Sequence, residues 1–122
     1  MRHYVLGADG EPVVGPADVE SWARMFDWSS TDRIVAKTDI DGEVEVSTVF
    51  LGLDHAVWDG PPMLFETMIF GGPHDNSQWR YTLRKQAQAG HDAIVAALRA
   101  GRDPYTIDFE ALPLGDSRER DS

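Results

Sequence analysis

The hydrophobic pattern of the chain is strongest between Val46 and Gly72, where two long apolar runs flank a short polar loop. The first run, VSTVFLGLDH, follows the strict alternation Glu43-Val44-Glu45-Val46. The second run is PPMLFETMIFGG. Alternation is typical of a half-buried strand, and a short continuous apolar run is typical of a strand buried on both faces. We therefore predict two central strands. The first, over 43–51, has a half-exposed start and becomes apolar on both faces through Val49-Phe50-Leu51, and the second, over 63–70, is buried on both faces.

Two Asp-Gly pairs predict tight hairpins, because both residue types tolerate the positive φ that such turns require. Asp41-Gly42 lies between the alternating segments 33–38 and 43–51. Asp9-Gly10 lies between a strand at 3–6 and a return strand at 12–14. Pro12 cannot donate a ladder hydrogen bond, so this second hairpin is expected at an edge.

Helical periodicity occurs twice. Val19, Trp22, Ala23 and Phe26 form one apolar stripe. A longer helix is predicted over 83–100, with Thr82 as its N-cap and Gly101 as its stop. Its inward stripe consists of Leu83, Ala87, His91, Ile94 and Leu98. The segment 74–78 is predicted as a loop, and 104–112 as a short strand through Tyr105, Ile107 and Phe109.

These elements predict an α+β fold, in which an antiparallel sheet (N-terminal hairpin plus three-strand meander) is packed by two helices. A chain of 122 residues is expected to form one domain, which we place at residues 1–114. Residues 115–122 are charged and contain no apolar side chain, so a mobile charged tail is expected there.

The net charge of the chain limits the classes of molecule that it is expected to bind. There are 21 acidic and 11 basic residues, which gives a net charge of −10. Such a chain repels phosphate backbones and anionic lipid surfaces, so neither direct nucleic-acid binding nor membrane binding is expected. The main interpretation of the charge is solubility. The alternative is that an acidic surface mimics nucleic acid toward a basic partner.

The sequence contains no cysteine, which excludes disulfides, thiolate metal sites and cysteine catalysis. The first residues, MRHYVLGADGEP, have no apolar core of a secretory signal, and no apolar run is long enough to span a bilayer. The expected location is the cytoplasm.

Glu66 is the most informative single residue, because it lies in the middle of an apolar strand. A buried carboxylate needs a partner, a raised pKa or a cavity to face. One interpretation is a structural ion pair or hydrogen bond with an arginine or a backbone group. The other is a ligand contact or a general base in a pocket.

Asp54 and His55 lead from the first apolar run into the loop, where they suit either a general base or a turn cap and a satisfied loop residue. Together with Trp58, Glu66 and Thr67 they form the candidate ligand-binding set, and no residue is assigned a catalytic role. No His pair has zinc spacing, so a metal site would need His55, Glu66, Asp54 or His74 to converge in the fold. We predict no metal and no cofactor. His91 is expected to be a core residue with one hydrogen bond.

The strings STVFLGLDH and GPPMLFETMIFGG, with AGH in the last helix and WARMF in the first, resemble a family of short uncharacterised phage and bacterial proteins. The resemblance spans most of residues 3–100. It implies a small accessory protein of phage or bacterial host cytoplasm, and it carries no assigned activity.

Three functions follow as hypotheses. The first is a non-enzymatic binding or inhibitory module that acts on a host protein or a small-molecule ligand. The second is a small hydrolase-like or metal-assisted enzyme that uses Glu66 with His55 or Asp54. The third is a structural homo-oligomer built through the apolar strands.

Overall fold

The computed structural model describes residues 2–25, 33–54 and 60–113. The two segments between these ranges and the predicted tail at 115–122 lie outside the described residues. The strands are β1 (Tyr4–Leu6), β2 (Pro12–Val14), β3 (Ile34–Ile40), β4 (Val44–Phe50), β5 (Phe65–Phe70) and β6 (Gln78–Tyr81). The helices are α1 (Val19–Met25) and α2 (Arg84–Arg99). The α+β fold is confirmed: β1 and β2 form an antiparallel hairpin, and an antiparallel sheet has the order β3-β4-β5-β6.

The Asp9-Gly10 and Asp41-Gly42 pairs form the predicted hairpins. Between β3 and β4, Asp41 and Gly42 have φ of 55° and 73°, and the Glu43 N–H donates to the Ile40 carbonyl over 3.2 Å. Between β1 and β2, only Gly10 is left-handed, with φ of 82°. Short turns of this kind fix which side chains of each strand face the core.

Only one face of the two central strands is fully buried, so burial on both faces, predicted for the end of the first strand and for the whole of the second, is wrong. Val46, Thr48 and Phe50 of β4, and Phe65, Thr67 and Ile69 of β5, lie at 0–1% exposure. The alternate residues are half-buried or exposed, and Phe70 is 46% exposed. The physical reason is that α2 packs against β3, β4, β5 and β6 from this side, which we call the inner face. Within the apolar runs, buried residues therefore alternate with half-buried or exposed ones, as in an ordinary strand with one buried face.

The meander has a fourth strand, β6, which begins at the end of the predicted loop at 74–78, ends before the predicted helix at 83–100 and was not predicted. Thr67 of β5 pairs with Trp79, and Glu66 pairs with Arg80. The strand predicted at 104–112 is also wrong. Pro104–Thr106 and Phe109–Ala111 are 3-10 turns, because the carboxylates of Asp103 and Asp108 accept backbone N–H groups and cap each turn. Tyr105 and Phe109 then pack their rings on Trp79, at 5.0 and 6.2 Å between centroids.

The two helices differ in how well their stripes were predicted. In α1, Trp22 is buried at 5% exposure and donates its Nε1–H to the Tyr4 carbonyl over 2.9 Å. Val19 is 58% exposed and Ala23 is also exposed, so among the described residues of the predicted stripe only Trp22 faces the core. Phe26 lies outside the described residues. Helix α2 matches its prediction within one residue at each end.

The N-terminal hairpin is attached at the start of α2. The Glu11 carboxylate accepts the Arg84 N–H over 2.8 Å, and Tyr4 donates its N–H to the Gly52 carbonyl over 2.8 Å. The first contact satisfies one of the free N–H groups that every helix start presents. The N-cap is Leu83 rather than Thr82, because the Gln86 side chain accepts the N–H groups of both residues. The hairpin thus links the helix start to the end of β4.

Candidate functional site

The structure does not gather the candidate ligand-binding set at one place. Glu66 and Thr67 are neighbours on β5, so their side chains point to opposite faces of the sheet. Asp54 lies beyond the end of β4. His55 and Trp58 lie outside the described residues, so a site that combines either of them with Glu66 stays a prediction.

Glu66 forms an ion pair on the outer face, the side of the sheet away from α2. Its Oε2 lies 3.1 Å from Nε of Arg80, the residue directly opposite on β6. The two side chains are 15% and 38% exposed. The interpretation of Glu66 as a structural ion pair with an arginine is therefore the one that the geometry supports.

Asp54 caps the segment that leads into β5. Its Oδ1 accepts the Met63 N–H over 3.1 Å. This is the turn-capping role considered for Asp54, because the carboxylate satisfies a backbone donor between two strands.

Thr67 belongs to a polar chain buried between the inner face and α2. Nε2 of His91 lies 2.9 Å from the Thr38 hydroxyl, and Nδ1 lies 2.8 Å from the Thr48 hydroxyl. The Thr48 hydroxyl is also hydrogen-bonded to the Thr67 hydroxyl, and the Tyr81 hydroxyl donates to that of Thr67 over 3.0 Å. We call these five residues the inner polar chain. It connects all four strands of the sheet to α2.

The inner polar chain is satisfied when every group is neutral. Tyr81 donates to Thr67, Thr67 can donate to Thr48, and Thr48 can donate to Nδ1 of His91. The Nε2–H of His91 then donates to Thr38. In this assignment each buried donor along the path has an acceptor, which is the condition for polar groups to be tolerated in a core.

Burial sets the protonation of the two ionisable members. His91 is 2% exposed, and this desolvation lowers its pKa below the ordinary value of 6.5, against a smaller opposing effect of Asp92. Burial also raises the pKa of Tyr81 to about 12, while its hydrogen bond to Thr67 opposes the shift. At neutral pH both side chains are held uncharged.

Gly90 makes room for Tyr81 in this interior. A Cβ added at Gly90 would lie 2.5 Å from the Tyr81 hydroxyl oxygen and 2.6 Å from a ring carbon. The AGH string of the sequence is explained by this contact: Gly90 admits the phenol ring, and His91 provides the next link of the chain.

The inner polar chain lies between two apolar clusters. One contains Phe50, Leu64 and Phe65, and the other contains Val46, Ile69 and Ile94. Because its central residues Thr48, Thr67 and His91 are buried and its hydrogen bonds are internal, its arrangement is suited to fixing the strands under the helix. Solvent or a ligand would have to open the core to reach Thr48, Thr67 or Nδ1 of His91, whereas Thr38 at the β3 end is only half-buried.

A cleft open to solvent is found where α2 ends. It has a volume of about 360 Å³. Its apolar wall is formed by the edges of the second cluster, namely Ile40, Val44, Ile69 and Leu98. Its polar rim comes from two loops, the β5–β6 turn and the segment after α2. We call it the helix-end cleft.

The rim of the helix-end cleft carries His74, Arg102 and Asp103. Asp103 is engaged, because its Oδ1 accepts the Tyr105 N–H over 2.9 Å. Among the residues that the structure describes, the side chains of His74 and Arg102 take part in no hydrogen bond or ion pair. Two nitrogen-bearing groups with no protein partner in the described part of the chain therefore border an apolar pocket.

Sequence reasoning missed this cleft. His74 was considered only as a metal ligand, and Arg102 was not singled out. The available signal was the position of Gly101-Arg102-Asp103 directly after a helix stop, and of Gly72-Pro73-His74 in a turn. Nothing in the sequence shows that these two loops meet.

Within residues 2–25, 33–54 and 60–113, no three His, Asp or Glu side chains are close enough to hold a metal ion. In the same part of the chain, no helix combines the length and the hydropathy that crossing a membrane requires. No protein-family model matches the sequence, and neither curated proteins nor solved structures give a match. The resemblance to short phage and bacterial proteins stays a prediction.

Proposed function

We propose that the protein is a non-enzymatic binding module, and that the helix-end cleft takes a small organic anion with an apolar body. The observation that carries the proposal is the cleft itself, with an apolar wall and the unused side chains of Arg102 and His74 at its rim. Its volume of about 360 Å³ lies in the range of small-molecule sites.

The polarity of the rim supports an acceptor group on the ligand. A guanidinium offers a rigid fork of N–H donors that matches a carboxylate. The apolar wall contributes by removing ligand surface from water. An alkyl or aromatic carboxylate satisfies both parts, whereas an alkylammonium of the same size meets the guanidinium with a like charge.

The catalytic alternative receives less support from the geometry. Glu66 is paired with Arg80 on the outer face, and Asp54 is used as a backbone cap. The carboxylates that an enzyme of this design would need are already engaged in the contacts that hold β5 and its entry.

The test uses the intact protein, isotope-labelled for NMR, with octanoate and octylammonium as the two probes. Octanoate is expected to shift the amide resonances of Ile40, Val44, Leu98 and Arg102, and octylammonium is expected to leave them in place. Replacement of the guanidinium in Arg102→Ala should weaken octanoate binding about tenfold, since a charge-assisted hydrogen bond is lost.

Arg99→Ala is the control, because Arg99 is an exposed arginine at the end of α2 that does not line the cleft. It should leave octanoate binding unchanged. The proposal is contradicted if octanoate shifts none of the cleft amides up to its solubility limit, or if the two arginine variants weaken binding equally.

A further inference from the structure

Strand β3 lies at one edge of the described four-stranded sheet. The order β3-β4-β5-β6 leaves β3 and β6 outermost, and the rings of Tyr105 and Phe109 pack beside β6 on Trp79. No described strand pairs with the outer side of β3. This strand has seven residues and no proline. The Ile34 carbonyl accepts a hydrogen bond from the Arg84 guanidinium over 3.5 Å, and the outward backbone groups further along the strand are of the kind that templates pairing with another chain.

The ladder fixes which backbone groups of β3 point outward. The Leu51 N–H donates to the Leu64 carbonyl and the Ile69 N–H to the Ser77 carbonyl. With the observed registers, the even-numbered residues of β4 therefore bond to β3. Their partners are Ala36, Thr38 and Ile40. The N–H and C=O groups of Lys37 and Asp39 consequently point to the free edge.

The charges on this edge are arranged to match a second copy. Lys37 and Asp39 are both exposed and flank Thr38. If two β3 strands pair antiparallel about Thr38, each Lys37 lies opposite Asp39 of the other copy, and these are the residues whose backbone groups face outward. Registers centred on Lys37 or on Asp39 place like charges opposite each other, which is unfavourable.

The contacts within one chain leave Asp39 available to pair with Lys37 of a second copy. Asp39 lies directly opposite Glu45 of β4, and Lys37 pairs with Glu45 over 3.5 Å, so Asp39 takes part in no ion pair among the described residues. That ion pair is exposed, at 58% and 41%, and exposed pairs of this kind contribute little. A second Lys37 beside Asp39 would supply the missing positive charge.

We infer that β3 is a self-association edge, at which two copies of this chain pair antiparallel about Thr38 to join their sheets. The occupant is a second copy because the charge sequence Lys37-Thr38-Asp39 is complementary to itself in this one register. The inference does not depend on the ligand of the helix-end cleft.

The first test is sedimentation equilibrium of the intact protein from about 10 μM to 1 mM, the range in which a small, hydrogen-bonded interface associates. A reversible dimer is expected. A chain that stays monomeric over the whole range overturns the inference.

Charge reversal tests the register. Lys37→Asp places two carboxylates opposite each other twice and should weaken the dimer at least about tenfold, and Asp39→Lys should do the same. The double variant Lys37→Asp/Asp39→Lys restores opposite charges and should return the dissociation constant to within about threefold of the original. Failure of the double variant to recover overturns the proposed register.

Two further variants separate the edge from general effects. Lys85→Asp makes the same change in net charge at an exposed position on α2 and should leave the dimer intact. Asp39→Pro removes an outward N–H and no ladder bond to β4, so the monomer should stay folded by circular dichroism while the dimer is lost. A dimer that survives Asp39→Pro contradicts the inference.

Discussion

Two adjacent residues of β5 show how differently the two faces of this sheet use polar groups. Glu66 points to the outer face and is paired with Arg80, with both side chains partly exposed. Thr67 points to the inner face, is fully buried, and joins hydroxyls from the neighbouring strands to His91. The comparison shows that the charged Glu66 needs fewer hydrogen bonds from other protein groups than the uncharged Thr67 does. Water screens the outer pair, whereas the inner chain must satisfy every group internally.

The largest effect is expected from removal of the centre of the inner polar chain. His91→Ala leaves Thr38 and Thr48 without their imidazole partner and opens a cavity under α2. We expect a loss of about 3–5 kcal/mol in the free energy of unfolding, measured by urea denaturation. A loss below about 1 kcal/mol would show that the chain contributes little.

The packing of Tyr81 gives the next largest effect. Gly90→Ala improves helix propensity by about 1 kcal/mol, yet its new methyl group would lie 2.5 Å from the Tyr81 hydroxyl oxygen. The cost of overpacking against Tyr81 should exceed the gain in helix propensity, so that the free energy of unfolding falls by about 2 kcal/mol. The double variant with Tyr81→Leu should lose less than the sum of the two single variants. A stabilising Gly90→Ala would contradict the packing described.

The direct comparison of the two faces uses two nearly isosteric changes. Thr67→Val removes a buried hydroxyl that serves Tyr81 and Thr48, and should cost about 1–3 kcal/mol in unfolding free energy. Glu66→Gln removes the charge of a partly exposed pair and should cost less than about 1 kcal/mol. Urea denaturation of both variants under one buffer decides the order. A larger loss for Glu66→Gln than for Thr67→Val would show that the outer ion pair stabilises the fold more than the inner polar chain does.

Stability should also fall at both ends of the pH scale through the inner polar chain. Below pH 6.5 the unfolded state binds a proton at His91 that the folded state resists, so stability decreases as the pH is lowered toward the folded-state pKa. Above pH 10 the unfolded state releases the Tyr81 proton, while the folded state holds it up to about pH 12, so stability decreases as the pH rises. In Tyr81→Phe, the loss of stability above pH 10 should disappear while the loss below pH 6.5 remains, as measured by thermal unfolding at each pH.

Local signals in the sequence were sufficient for most of the fold. The Asp41-Gly42 pair required positive φ and located the β3–β4 hairpin, and the spacing of apolar residues located α2 within one residue. Strand β6 was missed because Gln78-Trp79-Arg80-Tyr81 is short and half polar. Its two aromatic residues alternate with polar ones, which is the signal of a half-buried strand.

The candidate site was less predictable, because it depends on contacts between distant segments. Glu66 attracted attention as a carboxylate in an apolar run, but its Arg80 partner belongs to the strand that was missed. His91 was correctly placed in the core, and its second hydrogen bond depends on how the helix is seated on Thr48 and Thr38. The helix-end cleft is formed by two loops whose approach no local pattern encodes.

The most direct test of the account is an NMR titration of the imidazole nitrogens of His91 in the folded, isotope-labelled protein. Because burial lowers the pKa of His91 below its ordinary value of 6.5, the imidazole is expected to stay neutral as the pH is lowered to 6.5 and to gain its second proton only at lower pH. An imidazole that becomes doubly protonated at or above pH 6.5 while the protein remains folded would contradict the buried, neutral chain under α2.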